Sequence, residues 1–253
     1  MDTRNFFPYG INNNNKQYGI FCFHHAGGSA FTFKQWLDFS QTIEIVPVNI
    51  RNQESNDIEL HFYDIVQKVS ELIIENIGTR PMFVYGHSLG ALFAFAVTNK
   101  LEKEFGYKIK KLFVAGRHAP TEKSDSDYQC AQGQEILYQK LEQEGTIEKK
   151  ILQSQMFRKF FLPNIFRDYK LNEEYVYSGE IIDIPIVTLS GDKDGEADIK
   201  VMKKWENVTA AGITQYEFSG NHFFPYSKSM KKVLEVIALE IEKTWRPAMK
   251  SQP

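Results

Sequence analysis

The chain has 253 residues, of which 42% are hydrophobic and 14% aromatic, a composition typical of a packed globular domain with a substantial core. It contains 30 Lys and Arg residues and 32 Asp and Glu residues, for a formal net charge of -2, and no basic block. Nucleic acid is therefore not expected as a partner. The cysteines Cys22 and Cys130 have neither zinc nor disulfide spacing, which favours a reduced, cytoplasmic setting. No secretion signal or membrane-spanning stretch is evident, so we expect neither export nor membrane insertion.

In the first half of the chain, the pattern of apolar residues predicts strands that alternate with helices. Residues 1–17 are predicted to form a polar leader that the fold does not need, because Ile11–Gln17 includes four consecutive asparagines. Apolar strands follow at Tyr18–Phe23, Ile43–Ile50, Met82–Tyr85 and Lys108–Ala115, with helices through Trp36, over Leu60–Ile77 and over Ala91–Val97. This alternation predicts a single α/β domain, 1–253, with a mostly parallel sheet and helices on both faces.

The second half contains a long segment of a different kind. From Arg117 to about Ser178 the pattern is polar, aromatic and helical, and it is too long for a loop. It predicts a helical insertion at about 118–180 over the mouth of the sheet. Most of its aromatic side chains are expected to form its own core, and the others to line an acyl channel or a movable lid. Strands at Ile184–Ser190 and Ile213–Phe218 then resume the sheet, before a last helix to Trp245.

The strongest motif is Gly-x-Ser-x-Gly at Gly86–Gly90, between a predicted strand and a predicted helix. A sharp strand-to-helix turn brings backbone from both sides close to Ser88, so a Cβ at either glycine would clash. The turn exposes the serine hydroxyl and directs the free N–H groups of the helix start toward it. We therefore predict Ser88 as a nucleophile.

An acid and a histidine follow Ser88 in the order and placement of an α/β-hydrolase triad. His222 follows the strand that ends at Phe218, and it is predicted to accept the serine proton and return it to the leaving group. Asp192 and Asp194 compete for the role of holding the imidazole. The acid of this fold usually lies three residues after the glycine that ends the strand, which favours Asp194.

The oxyanion hole is predicted to use two backbone N–H groups. One is that of Leu89, which follows the nucleophile, and the other is that of Ala26, in the loop after the first strand. The same loop begins with His24 and His25, whose side chains point to opposite sides of an extended segment, so no metal site is predicted there. His61, His87 and His118 have no motif context, and His87 is expected to pack within the turn.

Several stretches together resemble the type II, or editing, thioesterases that accompany nonribosomal peptide and polyketide synthetases. They are Phe21–Ala30, Gly86–Gly90, Phe160–Pro163, Arg167–Tyr169, Gly191–Asp194, the Trp205 helix and Gly220–Phe224. The resemblance implies hydrolysis of acyl groups from the phosphopantetheine arm of a carrier protein, which would free stalled or mis-primed carriers in antibiotic biosynthesis. It also implies a mobile helical lid and no metal or organic cofactor. Carried across, the site residues are Ser88, Asp194, His222, Ala26 and Leu89, and we expect a monomer.

Two departures from the family pattern border the expected pocket. The family usually has proline where His24 stands, and a Pro-Gly-x-(Gly or Glu) turn where this chain has Asn49–Glu54. Neither departure removes a predicted catalytic residue, but both leave the acyl preference open.

Two other functions remain as alternatives. One is an acyl-CoA thioesterase, esterase or acyltransferase of the same fold, because triad chemistry is shared and specificity lies in the pocket. The other is a binding protein without catalysis, against which the three triad residues Ser88, Asp194 and His222 argue.

Overall fold

The computed structural model describes residues 3–11, 15–51, 60–122, 129–144 and 147–245. Six parallel strands form one sheet in the order β2-β1-β3-β4-β5-β6. They are β1 (Tyr18–Phe23), β2 (Ile43–Val48), β3 (Met82–His87), β4 (Leu112–Ala115), β5 (Ile186–Gly191) and β6 (Ile213–Phe218). The strand order reverses between β1 and β3, and open α/β sheets bind ligands beyond the carboxyl ends of their strands at such a reversal.

Helices cover both faces of this sheet, which confirms the predicted α/β class. They are α1 (Phe62–Asn76), α2 (Leu89–Lys103), α3 (Gln134–Glu144), α4 (Lys149–Leu152), α5 (Leu162–Glu174), α6 (Ile199–Lys203) and α7 (Met230–Trp245). One apolar core packs α1 and α2 against the sheet, and a second packs α7 and Trp36 against the other face. Within the described ranges, no helix combines the length and the apolar character needed to cross a membrane.

The prediction that the fold does not need residues 1–17 is wrong. Phe6 and Phe7 are fully buried, and the Phe7 ring lies 6.0 Å from that of Phe21 in β1. The Asn49 N–H also donates a hydrogen bond to the Phe6 carbonyl oxygen over 2.8 Å. The start of the chain therefore packs against the sheet, because the burial of two adjacent aromatic side chains stabilises this contact. Residues 12–14 of the asparagine run lie outside the described residues.

The segment between β4 and β5 is helical, as predicted. After α3 it contains the short α4 and then a π-helix at Phe157–Phe161, which leads into α5. Buried side chains of α3, α4, the π-helix and α5 form a third apolar cluster, which includes Leu137, Leu152 and Phe157. Phe160 and Phe161, by contrast, are exposed.

A buried carboxylate joins α7 to the sheet and should make stability pH-dependent. Glu240 accepts hydrogen bonds from Lys111, Lys243 and Tyr216 at 2.7, 2.7 and 2.8 Å. Burial alone raises the pKa of Glu240, but these donors outweigh it and lower the pKa to about 2. Because this is below the unfolded value of about 4.3, the stabilisation is present above that pH and is lost as the pH falls toward 2.

We therefore expect Glu240→Gln to lower the free energy of unfolding by about 2 kcal/mol at neutral pH, with a difference that shrinks below pH 4. Urea denaturation of both proteins across this pH range measures it. Glu235→Gln is the matched control, since Glu235 is an exposed residue of α7 whose ion pair with Lys231 spans 3.9 Å. Equal losses for the two variants would contradict the prediction.

Candidate active site

Ser88 lies on a strained turn between β3 and α2. Its φ of 54° and ψ of -122° make it the one non-glycine residue with positive φ in the described part of the chain. A Cβ on Gly86 would lie 2.1 Å from the Gly90 carbonyl oxygen, and one on Gly90 would lie 2.2 Å from that of Phe23. Both glycines of the motif are therefore required by close backbone approach.

Asp194 and His222 meet at the same edge of the sheet, where β5 and β6 end. The His222 Nδ1 lies 3.0 Å from the Asp194 Oδ2, and the other carboxylate oxygen accepts from the Glu196 and Ala197 N–H groups. Burial alone raises the pKa of Asp194, but the hydrogen bonds from His222 and these two amides outweigh it and lower the pKa. The carboxylate thus stays ionised, and its contact favours the tautomer of His222 with the proton on Nδ1, in which Nε2 is the basic nitrogen.

Asp192, the alternative to Asp194 as the acid that holds the imidazole of His222, lies elsewhere and has another partner. Its Oδ1 accepts a hydrogen bond from the Gly220 N–H over 2.8 Å, and its side chain is exposed. Asp192 therefore anchors the start of the loop that carries His222. The structure brings Asp194, and not Asp192, against the imidazole.

His87 does more than pack within the turn. Its Nε2 lies 2.9 Å from the carbonyl oxygen of His222, and the two imidazole rings lie 4.9 Å apart. Burial lowers the pKa of His87 well below its ordinary value, so the ring is neutral and donates its Nε2–H to that carbonyl. This hydrogen bond joins β3, the strand that ends just before Ser88, to the loop that carries His222.

The two predicted oxyanion donors flank Ser88 in a small cavity of about 210 Å³. Ala26, Ser88 and Leu89 all line it. Among the described residues, neither the Ala26 nor the Leu89 N–H donates to a protein acceptor. Both amides are therefore available to a substrate oxygen beside Ser88, as an oxyanion hole requires.

Helix α5 holds the loop that follows β1 and carries Ala26, here named the Ala26 loop (residues 24–29). The Gly27 N–H donates to the Oδ2 of Asp168 over 2.7 Å, and a Cβ on Gly27 would lie 2.7 Å from the Ile165 side chain. Arg51 hydrogen-bonds the Gly28 carbonyl and lies 3.4 Å from the other Asp168 oxygen, an ion pair without a well-formed hydrogen bond. Burial raises the pKa of the fully buried Asp168 to about 6, against the opposing effect of Arg51.

A larger cavity of about 750 Å³ opens beside the same serine. Ser88, Asp194 and His222 are among the residues that line it. Its lining also includes apolar side chains from the segment between β4 and β5, namely Leu141, Ile147, Ile151, Phe157, Phe161 and Ile165. An apolar chain attached to a carbonyl at Ser88 would fit this cavity.

The sequence of the chain matches the thioesterase domain model over residues 19–240. The chain belongs to the thioesterase domain family. This confirms the resemblance stated from the motifs, and with it the predicted enzyme class of thioester hydrolase.

Individual thioesterases and related proteins agree with this assignment. The chain is 26% identical over 220 residues to the gramicidin S biosynthesis protein GrsT of Aneurinibacillus migulanus, covering 85% of each chain. It is 27% identical over 213 residues to the thioesterase PikA5 of Streptomyces venezuelae, covering 81% of this chain and 74% of that one. The structure of ClbQ, from the colibactin NRPS/PKS pathway, superposes with a TM-score of 0.80 at 22% identity, over 90% of this chain and 98% of that one. The fold is therefore that of the thioesterases, and the predicted α/β-hydrolase fold is confirmed.

Where the structure describes them, the two departures from the thioesterase pattern lie in the Ala26 loop or contact it, and they line neither cavity described above. His24 is fully buried at the start of the loop, and Arg51 reaches Gly28 and Asp168. Positions 52–54 of the second departure lie outside the described residues. Sequence reasoning missed Asp168 as a site residue, although it had singled out Arg167–Tyr169 as a family motif, and that motif was the available signal.

Proposed function

We propose that this thioesterase hydrolyses acyl groups from the phosphopantetheine arm of carrier proteins, in nonribosomal peptide or polyketide biosynthesis in the cytoplasm. One observation supports it above all. The strained Ser88 and the His222–Asp194 pair border a cavity of about 750 Å³ whose lining includes apolar side chains from the helical segment between β4 and β5. The relative GrsT is named for gramicidin S biosynthesis, and the structural neighbour ClbQ is named for the colibactin NRPS/PKS pathway.

The proposed reaction begins with attack by the Ser88 hydroxyl oxygen on the thioester carbonyl carbon, while the Nε2 of His222 takes the hydroxyl proton. The carbonyl oxygen becomes an oxyanion and accepts hydrogen bonds from the Ala26 and Leu89 N–H groups. The carbon–sulfur bond then breaks, and the thiol of the arm leaves with the proton from His222. Water, deprotonated by His222, attacks the carbonyl carbon of the acyl-enzyme. The bond between that carbon and the Ser88 oxygen then breaks as His222 returns the proton to this oxygen, which releases the carboxylic acid and restores Ser88.

The chain's own residues supply each of these steps, so the proposal includes no metal or organic cofactor. The two adjacent histidines that could suggest a metal use their Nδ1 atoms otherwise. The His24 Nδ1 lies 2.8 Å from the His25 carbonyl oxygen, and the His25 Nδ1 lies 2.8 Å from that of Ala26. Their Nδ1 atoms are thus committed to the backbone of the loop.

The test compares one acyl group on four supports: a carrier protein, coenzyme A, N-acetylcysteamine and a simple alcohol. Acetyl, longer acyl and aminoacyl groups are each examined in this way. Intact-protein mass spectrometry follows the loss of acyl mass from the carrier, and Ser88→Ala is the control. We expect a higher kcat/KM for the carrier-bound group than for the other three supports.

Each other outcome decides against the proposal in a different way. If the carrier stays loaded while acyl-CoA or the ester is cleaved through Ser88, the enzyme acts on that substrate instead. If the acyl mass is transferred to an added amine or alcohol in preference to water, the chain is an acyltransferase. If no support is cleaved, the proposed reaction fails altogether.

A further inference from the structure

The peptide unit between His25 and Ala26 is held at its carbonyl end. The His25 oxygen accepts from the His24 Nδ1 at 2.8 Å and from the Gly28 N–H at 3.0 Å. In a trans peptide the carbonyl and the N–H point in opposite directions. Whatever holds the His25 carbonyl therefore also sets the direction of the Ala26 N–H.

His24 is suited to this task because it is neutral and has one tautomer that satisfies both ring nitrogens. Its side chain is fully buried, and burial lowers its pKa to about 3. The ring can donate its Nδ1–H to the His25 oxygen while its Nε2 accepts from the Ile50 N–H over 3.4 Å. The ring thus links the Ala26 loop to the chain that follows β2.

The next peptide unit is held independently. The His25 Nδ1 contacts the Ala26 oxygen, and Asp168 accepts from the Gly27 N–H at 2.7 Å. Among the side chains that the structure describes, His24 is the one that hydrogen-bonds the peptide unit carrying the Ala26 N–H. Proline, which the family usually has at this position, has no side-chain donor and could not make this bond.

We propose that His24 is a positioning residue for hydrolysis, whose Nδ1–H holds the His25–Ala26 peptide so that the Ala26 N–H faces the developing oxyanion. The proposal rests on the proposed function only in requiring that Ser88 attacks an acyl carbonyl. It does not depend on whether a carrier protein or a small thiol bears the acyl group. His24 touches neither the substrate nor Ser88 in this role and acts through the backbone.

Three substitutions separate positioning from packing. His24→Asn can place an amide N–H where the Nδ1–H stands, His24→Gln places its amide nearer the Nε2 position, and His24→Phe keeps a ring without a donor. Each variant is measured with an acyl N-acetylcysteamine thioester for kcat and KM. Each is also titrated with an acyl-chain trifluoromethyl ketone, which forms an oxyanion when Ser88 adds to it, and with the matching secondary alcohol, which forms none. Urea denaturation reports whether each variant is folded.

We expect His24→Gln and His24→Phe to lower kcat about 100-fold with little change in KM, and to weaken ketone binding but not alcohol binding. His24→Asn should retain most of the activity. The proposal is overturned if a folded Gln or Phe variant keeps the wild-type kcat, if ketone and alcohol binding weaken equally, or if Asn is as impaired as Gln. Should the Phe variant not fold, the comparison of Asn with Gln decides.

The ketone titration needs no turnover, so it distinguishes this proposal from the proposed function. Wild-type protein that cleaves the small thioester but spares acyl carriers would end the carrier-protein assignment and leave the His24 comparison intact. Wild-type protein that cleaves no thioester would end the proposed function, and the ketone affinities of the variants would still decide the role of His24.

Discussion

Ser88→Ala is expected to lower kcat by about 10⁶-fold, because no other group can form the acyl-enzyme. The fold should be retained, since the Ser88 N–H still donates to the Ala115 carbonyl oxygen and the close glycine contacts are unchanged. Turnover of a short-acyl thioester and covalent labelling by a fluorophosphonate measure the loss. Turnover and labelling should be lost together in Ser88→Ala, while its free energy of unfolding stays near the wild-type value.

Ser40→Ala is the matched control for this substitution. Ser40 lies in the turn before β2, where its hydroxyl contacts that of Thr42 at 3.2 Å, and it lines neither cavity at the site. The Ser40→Ala variant should be labelled by the fluorophosphonate and should turn over the thioester as the wild type does. Labelling of Ser88→Ala, or a native protein that does not label at all, would remove Ser88 as the nucleophile and return a non-catalytic binding protein to consideration.

Asp194→Asn is expected to lower kcat by about 10⁴-fold. The reason lies in the contacts of the other carboxylate oxygen, which accepts from the Glu196 and Ala197 N–H groups. An asparagine oxygen would remain with those donors, so its NH₂ group would face the Nδ1 of His222. The imidazole would then carry its proton on Nε2, where it cannot accept the proton of Ser88. Steady-state kinetics with the short-acyl thioester measure the loss.

The comparison with Asp192→Asn makes this prediction specific. An asparagine at 192 can still accept from the Gly220 N–H, so the loop of His222 should keep its position and the rate should stay close to wild type. If Asp192→Asn were the impaired variant and Asp194→Asn retained its rate, the acid would have been assigned to the wrong residue.

The features that local sequence could predict are those that depend on short segments. The approximate positions of the strands, the glycines around Ser88 and the order of Ser88, Asp194 and His222 follow from residue type and spacing. The strand bounds in the structure differ from the predicted ones by up to four residues. The family motif predicted the fold for the same reason. Choosing Asp194 over Asp192 needed only the distance in sequence from the glycine that ends β5.

The features that sequence reasoning missed depend on contacts between distant segments. His87 reaches the His222 carbonyl across 135 residues, and Asp168 reaches Gly27 across 141. Neither partner can be inferred from spacing, because each contact exists only after the sheet and the helices have packed. The burial of Phe6 and Phe7 was missed for a different reason, since the asparagine run after them dominated the local composition.

The attachment of α5 to the Ala26 loop bears on how thioesterases of this kind can be recombined. A chimera that exchanges the helices between β4 and β5 would also remove Ile165, which packs on Gly27, and Asp168, which accepts the Gly27 N–H. The incoming segment must supply both contacts, or a charged Arg51 is left beside a loop without its counterion. Substrate range therefore cannot be transplanted by grafting those helices as an independent module.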